Sequence, residues 1–179
     1  MSGTRQFHNI ALIGFMGTGK SSVGHIVADQ LRFSFLDTDE LIESRRGKSI
    51  SAIFSEEGEP AFREYERDLV LELASRNKTV ISTGGGLGAN TANVASLKEY
   101  SFVVCLWASP EKIWDRVRSQ THRPLLREAD PLGKIRQLLA AREPFYKEAD
   151  VLLNTEVRCL KEVAQQVLHQ FQLAKTLYR

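Results

Sequence analysis

Cysteine is scarce: Cys105 and Cys159 are the only two in 179 residues, with neither CxxC pairing nor metal spacing. A disulfide framework is excluded, and both thiols read as buried spacers in a reducing compartment. The four histidines, His8, His25, His122 and His169, show no i,i+4 or HxE grouping, which argues against a protein-held zinc ion. Long apolar runs are missing too. None approaches the ~20 residues of a membrane span, and the opening "MSGTRQFHN" is polar where a secretion signal carries an apolar core. A cytosolic protein without membrane contact is expected. Net charge is only +2, too small for a general nucleic-acid binder, so anions must be recognised by a few placed arginines.

What is present is ordinary globular material, 42% apolar and 26% charged, with no repeat, low-complexity tract or linker. Residues 1–179 fit one domain. Short β-branched or apolar runs at Ile10–Ile13, Phe33–Leu36, Thr79–Ser82, Phe102–Leu106 and Val151–Leu153 predict five buried strands. Between them, helical spacing joins Val23, Ile26, Val27 and Leu31, then Phe62, Leu69 and Leu73. It recurs at Ile113, Trp114 and Val117, and at Ile135, Leu138 and Leu139. Such alternation predicts a parallel sheet covered on both faces, with ligands bound beyond the carboxyl ends of the strands. The one long polar stretch, "SQTHRPLLREADP" at 119–131, has the length of a lid.

"GFMGTGKSS", residues 14–22, leaves the first strand and enters the first helix, matching G-x-x-x-x-G-K-S. Glycines let the loop wrap a phosphate chain with its N–H groups inward, and the helix N-terminus adds positive charge. Gly17, Thr18, Gly19, Lys20, Ser21 and Ser22 are the candidate ATP-binding residues. Lys20 is expected at the β- and γ-phosphates and the Ser21 hydroxyl on Mg²⁺. "NKTV" at 77–80 begins like a guanine-reading motif, but Val80 replaces the required acid, which favours ATP.

Polar residues then appear where the pattern expects apolar ones. Glu59-Pro60 looks like a helix start, and Phe62 plus four falls on Glu66, with Arg63 three residues earlier as its cation. Ile135 plus seven falls on Arg142. Each charge has two readings: a structural ion pair or snorkelling side chain, or a site for a small anion gripped by guanidinium forks. Gly84, Gly85 and Gly86 follow the third strand and can bring bare backbone to a ligand. In the polar stretch, Arg123 is either a surface arginine or a charge that closes over ATP; Arg116 and Arg118 precede it and can reach adenine. "DTDE" allows a capping box from Asp37 to Glu40, which leaves Asp39 unexplained. If extended geometry lasts through Thr38, both aspartates face the crevice, Asp37 toward Mg²⁺ through water and Asp39 toward an acceptor alcohol.

In order along the chain, "GFMGTGKSS", "DTDELIE", "FREYE", "GGG", "RPLL" and "REPFYKEAD" resemble the shikimate kinase family of P-loop kinases, over nearly the full length. The resemblance implies a three-layer α/β/α P-loop fold with a five-stranded parallel sheet, a substrate-binding helical segment at about 39–66 and a mobile lid. It implies transfer of the ATP γ-phosphoryl group to the 3-hydroxyl of shikimate. Shikimate is expected against Asp39, Arg63, Gly84, Gly85, Gly86 and Arg142, with Glu66 orienting the site. Lys20, Asp39 and Arg123 are the expected catalytic residues, Arg116 is expected over the adenine, and the protein is expected to work as a monomer with Mg²⁺. The adenine loop near Asn154 to Arg158 matches least clearly. Gluconate kinase, and a slow ATP-hydrolysing switch with no acceptor, are the rival readings.

Overall fold

β1 (Asn9–Ile13) is the central strand, and all five of its residues are buried. The computed structural model describes residues 5–119 and 129–177. Around β1, strands β2 (Ser34–Asp37), β3 (Thr79–Ser82), β4 (Ser101–Trp107) and β5 (Val151–Asn154) pair in parallel, in the order β2-β3-β1-β4-β5. A strand covered on both faces has no polar side, which is why "NIALI" reads as an apolar run and not an alternation.

Side chains of β1 alternate between two cores. Ile10 and Leu12 pack with Val23 and Val27 of α1 (Lys20–Leu31) and with Val163, Val167 and Phe171 of α8 (Leu160–Leu177). Ala11 and Ile13 pack on the opposite face, under α4 (Gly58–Leu73), α5 (Thr91–Tyr100), α6 (Pro110–Val117) and α7 (Pro131–Tyr146). Three layers result.

The chain turns to opposite sides of the sheet around β1, which opens a crevice at the carboxyl ends of the strands. Register makes the crevice compact: Leu12 is opposite Ser82, and Ser82 is opposite Asp37. The phosphate loop, the aspartate pair and the glycine run therefore emerge side by side.

Three details differ from the sequence reading. Extended geometry ends at Asp37, because Thr38 already opens helix α2 (Thr38–Arg46), which is followed by α3 (Ile50–Glu56). Strand alternation is thus not what turns Asp39 inward. Helix α4 begins at Gly58, so Pro60 is its third residue, still within the turn whose N–H groups lack helical acceptors. Cys105 is buried, but Cys159 is exposed: it sits just before α8, where its N–H donates to the Glu162 carboxylate at 2.8 Å. That is half of a capping box, a local polar role the apolar spacing did not reveal. Of the expected lid, residues 120–128, including Arg123, lie outside the described residues.

Candidate active site

Between β1 and α1, the phosphate loop turns through left-handed backbone at Gly17 (φ 75°) and Gly19 (φ 94°), conformations that disfavour side chains. Lys20 follows at the helix start, buried, its ammonium donating to the carbonyls of Gly14 and Phe15 at 2.9 Å each. The Thr18 hydroxyl ties the loop by donating to Phe15 O at 2.8 Å. Ser21 Oγ donates to Asp37 Oδ2 at 2.9 Å and lies 3.2 Å from Ser82 Oγ. A cavity of about 320 Å³ collects Gly17, Gly19, Lys20, Ser21, Ser22, Asp37, Asp39 and Arg116.

Asp37 divides its carboxylate between two tasks. Oδ1 accepts the Asp39 N–H at 3.0 Å and caps α2, while Oδ2 meets Ser21. The cap turns the chain so that Asp39, two residues on, enters the crevice from the first helical turn. For a divalent ion the donor set is all oxygen: the Ser21 hydroxyl, Asp37 Oδ2 and the nearby Ser82 hydroxyl. Among the described residues no group of three or more His, Cys, Asp or Glu forms a metal cage. A sparse set with one carboxylate fits Mg²⁺, which retains waters and takes further ligands from phosphates.

Beside this cavity lies a larger one of about 690 Å³, and Met16, Asp39 and Gly85 line both. Its lining combines the charged Arg63, Glu66 and Arg142 with the apolar Ile50, Phe54 and Phe62. Arg63 Nη1 donates to Glu66 Oε2 at 2.7 Å, confirming the i,i+3 pairing that the charge pattern required. Glu66 is 1% exposed and its Oε1 accepts no hydrogen bond. Burial pushes this carboxyl up to about 7, against the opposing pull of the Arg63 hydrogen bond and charge.

The glycine run is shaped by what lies against it. A Cβ at Gly84 would collide with the Asp39 carboxylate, and one at Gly86 with the Arg63 guanidinium. The loop thus presses bare backbone onto the two charged groups. Gly85 O accepts from Arg142 Nη1 at 3.1 Å and from the Tyr146 hydroxyl at 2.9 Å, fastening the loop to α7.

A third cavity, of about 580 Å³, opens on the other side of the phosphate loop, lined by Gly17, Gly19, Arg116, Thr155, Arg158 and Leu160 among others. Arg116 bridges it to the phosphate cavity. Its Nη1 donates to Gly17 O at 3.1 Å and to Thr155 Oγ1 at 2.9 Å, and its Nη2 donates to Thr155 O. Arg118 points to solvent instead.

A row of three joined cavities around a phosphate loop is the layout of a nucleotide site with an acceptor site beside it. The family model described as shikimate kinase matches residues 16–172. A relative from Thermodesulfovibrio yellowstonii named shikimate kinase is 42% identical over 164 residues, covering 92% of this chain and 95% of that protein. The chain belongs to the shikimate kinase family. A solved structure of shikimate kinase from Acinetobacter baumannii in complex with shikimate aligns at a TM-score of 0.88 with 37% identity, covering 96% of each chain. The P-loop NTPase fold is therefore shared with shikimate kinases. A gluconokinase structure from Sinorhizobium meliloti, at 21% identity and TM-score 0.63 over 97% of this chain and 98% of that one, shares the fold alone.

Several residues of this shikimate kinase family site went unnoticed in the sequence. Thr38, between the two aspartates, is fully buried and its hydroxyl accepts the Gly84 N–H at 2.9 Å. Tyr146, four residues after Arg142 and so on the same helical face, was not singled out within "REPFYKEAD". Thr155 gave no signal, because its role depends on Arg116 from a distant helix.

Proposed function

We infer that the protein transfers the γ-phosphoryl group of ATP to the 3-hydroxyl of shikimate, giving shikimate 3-phosphate and ADP. The observation that carries this reading is Asp39, which lines both the phosphate cavity and the arginine-bearing cavity beside it. In the transfer, the acceptor oxygen bonds to the γ-phosphorus as the bond from phosphorus to the ADP oxygen breaks, and Asp39 takes the hydroxyl proton. Lys20 leaves its loop carbonyls to donate to the β- and γ-phosphates.

The remaining groups position the reactants. Arg63 and Arg142 bind the shikimate carboxylate, Gly84, Gly85 and Gly86 bring backbone to the ring, and Glu66 holds Arg63 in place. Gly17, Thr18, Gly19 and Ser22 complete the phosphate grip, Arg116 lies over the adenine, and Arg123, outside the described residues, is assigned as the lid arginine at ATP. Ser21 and Asp37 hold Mg²⁺, Asp37 through water, and the ion supplies charge neutralisation to the transferred group when bound. This assignment treats residues 1–179 as a single kinase domain, with the phosphate loop at 14–22, the acceptor segment at about 39–66 and the lid at about 119–131. We read it as a cytosolic monomer acting on two small molecules; no helix among the described residues is long and apolar enough to cross a membrane.

ADP release measured without acceptor, with shikimate and with gluconate tests the function. Release that depends on shikimate is expected. Equal release in all three would make the protein an ATPase switch, and dependence on gluconate would make it a gluconate kinase.

A further inference from the structure

Arg63 has three of its N–H directions already occupied by carboxylates of its own helix. Nη1 donates to Glu66, while Nε and Nη2 both donate to Glu59 Oε1, at 3.1 and 2.6 Å. The Nε–Nη2 edge is one of the two edges with which guanidinium grips a carboxylate. Here it is filled by a side chain that also lines the acceptor cavity.

The two carboxylates are not equivalent. Glu66 is 1% exposed and has nowhere to go, whereas the Glu59 side chain is 61% exposed and can rotate into water at little cost. Its backbone sits in the first turn of α4, so the helix need not move to free the arginine. An anionic acceptor entering the cavity would meet Arg142 on one side and, on the other, an arginine edge held by a like charge.

We propose that Glu59 is an internal competitor for the acceptor carboxylate: it occupies the Nε–Nη2 edge of Arg63 and yields it when an anionic acceptor binds. The proposal rests on the acceptor being shikimate or a similar acid. Glu59 keeps the guanidinium oriented over Gly86 before the acceptor arrives and lowers the site's affinity for it. Glu66 is the fixed partner and Glu59 the exchangeable one.

Calorimetric titration with shikimate, together with steady-state kinetics, on wild type and Glu59→Gln tests this. Losing an exposed competing ion pair is expected to lower both Kd and KM for shikimate by about 2- to 5-fold. Wild-type kcat and ATP KM are expected to persist. The carboxamide analogue of shikimate, which has no charge with which to displace Glu59, should bind both proteins alike. Unchanged or weaker shikimate binding in Glu59→Gln overturns the proposal, as does an equal gain for the carboxamide. Glu59→Asp, which retains the charge on a shorter arm, should bind shikimate more tightly than wild type and so behave like Gln; wild-type affinity in Glu59→Asp would also contradict competition by contact. If wild type releases no ADP in response to shikimate, the kinase reading fails separately from the fate of Glu59.

Discussion

Gly84 lies so close to Asp39 that a Cβ on the glycine would collide with the carboxylate. The position of the proposed proton acceptor is therefore set by the absence of a side chain on the neighbouring loop. Gly84→Ala is expected to displace Asp39 and lower kcat at least ~10-fold, since overpacking of this kind forces neighbours off their rotamers. Mg·ATP binding should change little in that variant and in Asp39→Asn, because the phosphate grip is assigned to the loop glycines, Lys20 and Ser21, and the metal to Ser21 and Asp37. Equilibrium binding of Mg·ATP beside single-turnover rates checks the division; parallel loss of both would refute it.

Lys20 is buried and held on Gly14 O and Phe15 O, within the loop that would cradle phosphate. Lys20→Ala should lower kcat by at least ~10²-fold, the scale of losing a donor to developing charge. Near-normal turnover would remove Lys20 from the mechanism.

Arg63 and Arg142 should affect acceptor binding alike and stability differently. Either change to Ala should raise the shikimate KM by ~10-fold or more, as for loss of charged hydrogen bonds. Arg63→Ala also strands Glu66, whose Oε2 loses its 2.7 Å partner, at a cost of about 1–3 kcal/mol. Arg142→Ala strands less, because Gly85 O keeps the Tyr146 hydroxyl. Urea unfolding at pH ~8 should rank Arg63→Ala below Arg142→Ala, with Glu66→Gln restoring part of the Arg63→Ala loss.

Much of this site was legible because its charges break a pattern. Glu66 and Arg142 were found as polar members of apolar stripes, and both do face the acceptor cavity. The five strands were legible because each is a short apolar run between turn residues. What could not be read were relationships set by tertiary packing: Thr38 against Gly84, Tyr146 on Gly85 O and Arg116 on Thr155. Helix α5 was also missed, as its buried residues Val94 and Leu97 offer too narrow a stripe. "DTD" was half legible. Its cap by Asp37 is visible in residue type, but Asp39 reaches the crevice through the helical turn that cap begins.

Glu66 gives stability a pH dependence of unusual sign. Unfolded, its carboxyl releases a proton near 4.5; folded, burial delays release to about 7. Between these values the folded protein holds a proton that the unfolded chain has lost, so this group's contribution is full below pH 4.5 and fades as pH rises to about 7. Glu66→Gln does not titrate, so its stability relative to wild type should improve from roughly pH 5 to pH 8. Urea unfolding across that range checks it; a constant difference would mean burial does not govern the group.

The most direct test of the central claim is to follow the phosphorus itself. With ATP, Mg²⁺ and shikimate, ³¹P NMR should show one phosphate monoester on the shikimate 3-oxygen for each ADP formed. Inorganic phosphate appearing at the same rate with and without shikimate would contradict the account.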